Sequence, residues 1–351
     1  MQTGKLMKKI AQVRGDLGHT ILGLMKAVTT DEGKLPMHEI HNSTLHALAN
    51  HLFHQEVDPS KLETDFSAYE QIEDLELQKE VLHMGGIFPF LEEETVEQKA
   101  SALIRLGDLW GVHDKVVKGA LALCKGHKRL LYMDTLRMNK YEFGSTARTT
   151  LKFLLGPLHL DGSKKILEQY HGYAELPDHT LGRTMVQYYQ DNEFPLPGTP
   201  GATFSNALTQ HDFHHVMAGY DTTPLGEILV QAFDHAISQG DASGAIVGVV
   251  AQMQIGLVFD PSVRAWKGQF NPDLFFRAIE RGSDAKVDYL TPGYDMDPLM
   301  EQPLDEIRER FGVSPEGMLV NNPTDRWCGE MGPVTERESS DIVKQKGLNF
   351  D

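Results

Sequence analysis

The stretch that most constrains the fold of this chain runs from His211 to Glu227 and reads HDFHHVMAGYDTTPLGE. His211 and His215 are four residues apart, so on a helix they lie on one face, on successive turns. The segment GYDTTP that follows is rich in residues that favour a turn and interrupt a helix. Glu227 then belongs to a second helix, which can fold back against the first. The sequence therefore predicts a helix–turn–helix with a cluster of potential metal ligands.

Two neutral imidazoles and the carboxylates of Asp212 and Glu227 carry a double negative charge, which matches a divalent cation. Nitrogen and oxygen ligands favour zinc, iron or manganese over calcium or magnesium. In the zincin motif HExxH a glutamate is the general base, and here Asp212 takes its place. Because aspartate is one methylene shorter, we expect an inner ligand rather than a base. The alternative is a pair of surface histidines, since the chain has 16 histidines and some fall at helical spacing by chance.

The pattern HDxxH, eleven residues and a glutamate resembles the metal signature of the coenzyme Q (ubiquinone) biosynthesis family that carries an HDxxH zinc motif. LPDHTLGR at 177–184, HVMAGYDT and LGEILVQAF around the turn, and LDEIRERFGV at 304–313 resemble other segments of that family. The resemblance covers roughly residues 145–316. It implies one divalent metal, most often zinc, with His214 as an extra imidazole outside a ligand set of His211, Asp212, His215 and Glu227.

The resemblance also implies a function in ubiquinone biosynthesis, on a benzoate or benzoquinone ring that bears a long polyprenyl tail. The expected reaction is removal of the ring carboxylate and hydroxylation at that carbon, by a lyase-type oxidative decarboxylase. A metal would hold the ring carboxylate or phenolate and stabilise the charge that develops as CO₂ leaves. Four protein ligands, however, are typical of a closed structural site, because catalytic zinc usually keeps one position open.

Two other function classes stay open. The first is a non-catalytic scaffold that binds a prenyl lipid and positions other quinone-biosynthesis enzymes. The second is a metal-dependent hydrolase that shares the motif but not the pathway.

The turn between the predicted ligands contains two residues that could orient an imidazole through its second nitrogen, Tyr220 and Asp221. For Asp221, turn chemistry alone explains the residue equally well.

The uncharged run 242–259, ASGAIVGVVAQMQIGLVF, is shorter than the roughly 20 apolar residues of a membrane span and includes two glutamines. We expect a buried helix here. Gly244 and Gly248 within the run would allow close approach of a lipid chain, and Phe275 and Phe276 could line the same apolar groove. The alternative is that all four residues are ordinary core.

Length and charge limit the remaining possibilities. A chain of 351 residues favours two domains, and a net charge of −17 argues against nucleic-acid binding and against electrostatic attachment to anionic lipid. Cys124 and Cys328 fit no metal-ligand spacing and indicate a reducing compartment. The N-terminus has no continuous apolar segment, so we expect a cytoplasmic protein, with peripheral membrane contact and a homodimer left open.

Apolar residues at three-and-four spacing predict an amphipathic helix across residues 1–29, and scarce strand signals elsewhere predict an all-α fold. STLHALANHLF at 43–53 aligns with SALIRLGDLWG at 101–111, an offset of 58 residues that indicates a duplicated helical unit. The acidic segments TTDEG and LEEET precede the two copies, an arrangement that resembles TerB-like helical domains. Their carboxylates either bind a cation or favour the starts of solvated helices.

These patterns together predict three regions. Residues 1–140 form a helical, TerB-like domain, residues 141–316 form the metal-binding domain, and residues 317–351 form a charged tail.

Overall fold

A computed structural model describes residues 8–113, 118–119, 163–200, 203–238, 243–257, 265–291 and 294–318. Within these residues the chain forms eleven α-helices, short 3₁₀ turns and no β-strand, so the predicted all-α fold class is confirmed. The helices are α1 (Asp16–Thr29), α2 (Glu39–His51), α3 (Leu75–Gly85), α4 (Val96–Trp110), α5 (Ser163–Ala174), α6 (Leu181–Asp191), α7 (Thr203–Ala218), α8 (Pro224–Ile237), α9 (Ser243–Gln254), α10 (Pro272–Asp284) and α11 (Leu304–Phe311).

The first long helix is shorter than the sequence predicted. The helix α1 begins only at Asp16, because Gly15 has a φ of 61° and Val13 is extended, and neither conformation continues a helix. Ile10 and Val13 are nevertheless buried. The apolar spacing before Asp16 therefore reflects packing of an irregular segment and not a continuous helix.

The chain divides into two compact units that are discontinuous in sequence. The first unit comprises Met1–Thr146 and Ile228–Tyr294, and the second comprises Ala147–Glu227 and Asp295–Asp351. These boundaries differ from the continuous stretches 1–140 and 141–316, because most of α8 and all of α9 and α10 group with the N-terminal helices. The assignment of residues 1–140 to a TerB-like domain stays a prediction. Residues 319–351 of the predicted tail lie outside the described residues.

In the first unit, α2 and α4 follow the offset of 58 residues that the sequence indicated. They begin 57 residues apart, at Glu39 and Val96, and end 59 residues apart, at His51 and Trp110. The leucines that align in the two copies are fully buried, at positions Leu45, Leu48, Leu103 and Leu106. The aligned leucines thus belong to the hydrophobic core in both helices.

The acidic segments of the first unit are engaged by cationic side chains. Arg105 forms ion pairs with Asp31 and with Glu32, the latter at 3.0 Å. The fully buried Lys99 Nζ lies 2.6 Å from Glu92 Oε2. Burial alone would raise the pKa of Glu92, but hydrogen bonds from Lys99 and Thr95 lower it to about 2. Side-chain cations thus occupy the place of the cation considered for these residues.

The predicted buried helix in the run 242–259 is present as α9, most of whose residues are buried. None of the helices within the described residues is both long and apolar enough to span a membrane. The four groove candidates lie in the first unit, where Gly244 and Gly248 are buried and the side chains of Phe275 and Phe276 are 0% exposed. This burial fits the core alternative, and the lipid groove stays a prediction.

The second unit contains α5, α6, α7, the start of α8 and α11. Helix α6 packs against both α5 and α7. Its first turn is capped by Thr180, whose side chain accepts a hydrogen bond from the backbone N–H of Arg183. Arg308 of α11 donates hydrogen bonds to the backbone oxygens of Val216 (2.7 Å) and Met217 (3.2 Å), at the C-terminal end of α7. Helix α7 is therefore held along its side by α6 and at its end by α11.

Candidate metal centre

The helix–turn–helix predicted from the sequence is present between α7 and α8. Helix α7 ends at Ala218, and Gly219 follows with a φ of 76°, a conformation that glycine adopts without strain. In the turn, Asp221 Oδ1 accepts hydrogen bonds from the backbone N–H of Thr223 (3.1 Å) and from its hydroxyl (2.6 Å). Helix α8 begins at Pro224, which suits a first helical turn. The turn therefore sets the direction in which α8 starts.

This turn brings three predicted ligands together. Nε2 of His211 lies 3.0 Å from Nε2 of His215 and 3.2 Å from Oε2 of Glu227, and Nε2 of His215 lies 3.4 Å from Oε1 of Glu227. One ligand atom from each residue lies within 4.8 Å of the other two. Two imidazole nitrogens and one carboxylate thus face a common point.

The separations suit a transition metal. Metal–ligand bonds of about 2.0–2.1 Å at tetrahedral angles place neighbouring ligand atoms about 3.3 Å apart. Nδ1 of His215 lies 3.2 Å from the backbone oxygen of Tyr220. In the neutral imidazole that a metal requires, donation from Nδ1 to that oxygen would leave the lone pair on Nε2. The side chains present therefore fit a divalent metal of the zinc or iron type.

The electrostatics of Glu227 favour ligation. Burial alone would raise the pKa of this carboxyl, but the charge of His215 and the hydrogen bonds of both histidines outweigh burial and lower it. The side chain of His215 is fully buried, whereas those of His211 and Glu227 are 17% and 26% exposed. Glu227 is therefore ionised, and solvent reaches the cluster at His211 and Glu227 but not at His215.

Asp212 is the predicted ligand that the structure does not bring into this cluster. It follows His211 directly, and adjacent residues of an α-helix point about 100° apart. Its buried carboxylate accepts hydrogen bonds from Tyr189 (Oη to Oδ2, 2.5 Å) and from Tyr188 (Oη to Oδ1, 3.3 Å). Burial raises the pKa of Asp212, and the hydrogen bond from Tyr189 opposes that rise. The sequence predicted four converging ligands, and the structure brings three together.

Tyr188 and Tyr189 are the neighbours of the cluster that the sequence analysis missed. The ring of Tyr188 lies 6.0 Å from the ring of His215, with 26° between the two planes. Burial and the Asp212 carboxylate raise the pKa of both phenols, so both stay protonated at neutral pH. The only sequence signal was an aromatic pair in QYYQ, 23 and 24 residues away from Asp212 along the chain.

The two residues proposed to orient an imidazole lie beside the cluster in different ways. Tyr220 contacts His215 through its backbone oxygen. Asp221 uses Oδ1 within the turn, while its buried Oδ2 has no hydrogen-bond partner among the described residues. Burial raises the pKa of Asp221. His214, expected to lie outside the ligand set, is fully buried and does not belong to the cluster.

Comparisons with known proteins do not show a family for this chain. No family model and no curated protein matches this chain. A solved structure from Nostoc punctiforme PCC 73102, of a protein provisionally described as a ubiquinone biosynthesis protein, covers 53% of this chain and 97% of its own, at 24% identity and a TM-score of 0.31. A likeness of this size carries no argument about fold or function.

Proposed function

We propose that this protein is a metal-dependent protein of prenyl-quinone biosynthesis, which binds a polyprenylated benzoate or quinone precursor at the centre formed by His211, His215 and Glu227. The observation that carries the proposal is the convergence of these three ligand atoms at separations of 3.0–3.4 Å. Three protein ligands leave coordination positions for a substrate oxygen, as in catalytic zinc sites and in iron sites with two histidines and a carboxylate. The resemblance of the motif to the coenzyme Q family supplies the substrate class.

A divalent cation in this centre would supply Lewis-acid chemistry, which attracts an anionic oxygen and stabilises charge on the ring. The partial exposure of His211 and Glu227 gives a ring carboxylate or phenolate access from that side. When the bond between ring and carboxylate breaks, CO₂ leaves and the electron pair stays on the ring carbon. Exchange of the carboxylate for a hydroxyl also needs a separate two-electron oxidant that donates one oxygen atom, such as O₂, and this half of the reaction is not assigned to the residues of this chain. We assign to this chain the binding of the substrate and the stabilisation of the charge.

A hydrolase outside the pathway has weaker support. In an HExxH enzyme, the residue after the first histidine is the general base that activates water. In this chain the corresponding carboxylate, Asp212, accepts hydrogen bonds from two phenols on α6. The same carboxylate is therefore not directed at a water molecule in the cluster.

The first experiment is metal analysis of the purified protein by mass spectrometry, with His215→Ala, Glu227→Ala and the control His171→Ala, which changes an exposed histidine of α5. We expect about one equivalent of zinc or another transition metal in wild type and control, and little in the two site variants. Absence of metal from wild type after supplementation would overturn the proposal.

The second experiment tests the substrate class and separates enzyme from scaffold. Lipid extracted from the purified protein is identified by mass spectrometry, and release of CO₂ is followed from a polyprenylated benzoate labelled in its carboxyl group. Metal-dependent release that is lost in His215→Ala supports the enzyme. Bound prenyl lipid without release of CO₂ supports the scaffold, and retention of neither lipid nor substrate removes the assignment to quinone biosynthesis.

A further inference from the structure

We infer that Asp212 is a positioning residue that anchors Tyr188 and Tyr189 beside the metal centre, and that it is not itself a metal ligand. The inference rests on the proposed function, since it concerns the same metal centre. It departs from the ligand set that the sequence motif implies, and it assigns roles to two tyrosines that the motif does not contain.

Both oxygens of Asp212 already accept hydrogen bonds. Tyr189 Oη lies 2.5 Å from Oδ2, and Tyr188 Oη lies 3.3 Å from Oδ1. Asp212 is 5% exposed and Tyr189 is 0% exposed, so water does not readily replace either partner. If Asp212 turned towards the metal, the Tyr189 hydroxyl would lose its short hydrogen bond to a buried carboxylate, which costs stability.

Tyr188 links Asp212 to His215, one of the proposed metal ligands. Its ring lies nearly parallel to that of His215, while its hydroxyl donates to Asp212. The backbone oxygen of Tyr220 contacts the opposite end of the same imidazole, at Nδ1. His215 is thus oriented by a hydrogen bond at Nδ1 and by the face of Tyr188, and Asp212 fixes the position of that face.

The rings of the two tyrosines pack against each other and against α5. Tyr188 and Tyr189 meet edge to face with 5.6 Å between ring centroids, and Tyr189 meets Tyr170 of α5 edge to face at 5.5 Å. An aromatic layer from α5 and α6 therefore presents two phenols to α7 at one buried carboxylate. Residues that orient a ligand in this way commonly change metal affinity by about 10- to 100-fold when they are removed.

The two roles for Asp212 predict different effects of removing its carboxylate once the phenols are gone. If Asp212 is a ligand, the phenols only orient its carboxylate, so adding Asp212→Asn to Tyr188→Phe/Tyr189→Phe removes a metal ligand, causes a large further loss of zinc affinity and changes the Co²⁺ spectrum. If Asp212 is an anchor, the same double variant releases the ring of His215, and zinc affinity falls. Because the anchor acts only through the tyrosines, adding Asp212→Asn to the double variant would then cause little further loss.

The test measures zinc stoichiometry and zinc Kd by competition with a chromophoric chelator, using Zn²⁺ alone as the probe and the full-length chain. The variants are Asp212→Asn, Tyr188→Phe/Tyr189→Phe, the triple variant and His215→Ala. Tyr173→Phe and Asp297→Asn are matched controls, because Tyr173 Oη and Asp297 Oδ1 form another phenol–carboxylate pair in the same unit, at 3.4 Å. Circular dichroism checks that each variant is folded, and the visible spectrum of the Co²⁺-substituted protein reports the ligand set.

We expect Asp212→Asn to retain about one equivalent of zinc with a Kd about 10- to 100-fold weaker, an unchanged Co²⁺ spectrum, and a similar loss in the tyrosine double variant. Loss of zinc in Asp212→Asn as complete as in His215→Ala, or a changed Co²⁺ spectrum in Asp212→Asn, would overturn the inference while the proposed metal centre stands. Wild-type protein without zinc would overturn both. If Asp212→Asn does not fold, Asp212→Ala takes its place, alone and with the two tyrosine substitutions, in the same zinc and Co²⁺ measurements.

Discussion

Gly226, the residue before Glu227, occupies a position that accepts no larger side chain. A Cβ added here would lie 2.1 Å from the backbone oxygen of Asp221 and 2.2 Å from its Oδ1. The nearest atom is backbone, and it belongs to the turn whose hydrogen bonds set the start of α8. We therefore expect Gly226→Ala to destabilise the protein and to disturb the metal centre together.

The size of the effect follows from these distances. Ordinary van der Waals contact of a Cβ begins at 3.4 Å, so the turn or the helix would have to move by about 1.3 Å, the difference between 3.4 and 2.1 Å. Forcing an extra methyl group into a packed site typically costs about 1–3 kcal/mol. The higher helix propensity of alanine returns up to about 1 kcal/mol. We expect a net loss of about 1–2 kcal/mol, and at least about a tenfold loss in zinc affinity, because Glu227 is the next residue.

The assay is urea denaturation followed by circular dichroism, with and without a chelator, together with the zinc competition measurement. Gly172→Ala is the matched control, because Gly172 lies in α5 with no atom within 4 Å of its added Cβ. The control should be as stable as wild type or more stable, with unchanged zinc affinity. If Gly226→Ala behaved like Gly172→Ala in both measurements, the turn would be able to yield at little cost, and the reasoning that ties it to the metal centre would be refuted.

Two further predictions concern stability within each unit. His51 faces Asp273 (2.8 Å) and Glu280 (3.0 Å) through its two ring nitrogens; burial alone would lower its pKa, but these hydrogen bonds and charges raise it above 6.5. The charge of His51 therefore stabilises the fold fully below pH 6.5, and this contribution is lost as the pH rises through the raised pKa. The difference in unfolding free energy between wild type and His51→Gln, measured by urea titration, should shrink from pH 6 to pH 9. A difference that stays constant over this range would contradict the prediction. Arg308→Ala should lower the free energy of unfolding by about 1–3 kcal/mol, because it leaves carbonyl groups at the end of α7 without charged donors. Arg310→Ala, on the same helix, is the control. An equal loss of stability in the two variants would show that the hydrogen bonds of Arg308 contribute little.

The parts of the centre that could be predicted from sequence are those fixed by local geometry. The spacing of His211 and His215 places both on one helical face, and the breakers in GYDTTP stop α7 before α8 begins. Both features depend on residues a few positions apart, and backbone rules for helices and turns specify them. The all-α class was predictable for the same reason, since apolar periodicity reports helices directly.

The parts that could not be predicted depend on contacts between distant segments. Arg105 pairs with Glu32, which lies 73 residues earlier in the chain. Because local sequence does not reveal this ion pair, a bound cation was a possible partner for the acidic loop. Likewise, nothing in the sequence around Ile228 indicates that the chain there joins the first unit rather than the second. Gly15 is a middle case, because its identity permits a break in α1 but does not require one.

The number of ligands decides which chemistry the centre can perform. Four protein ligands would complete the tetrahedral coordination of zinc, which is typical of a structural site. With Asp212 hydrogen-bonded to the tyrosines of α6, a metal held by the other three residues would keep a position for a substrate oxygen on the side where His211 and Glu227 are exposed. The sequence motif contains the same four residues in either case. On the proposed function, the packing of α6 on α7 would therefore determine whether this motif forms a structural site or one that can take part in a reaction.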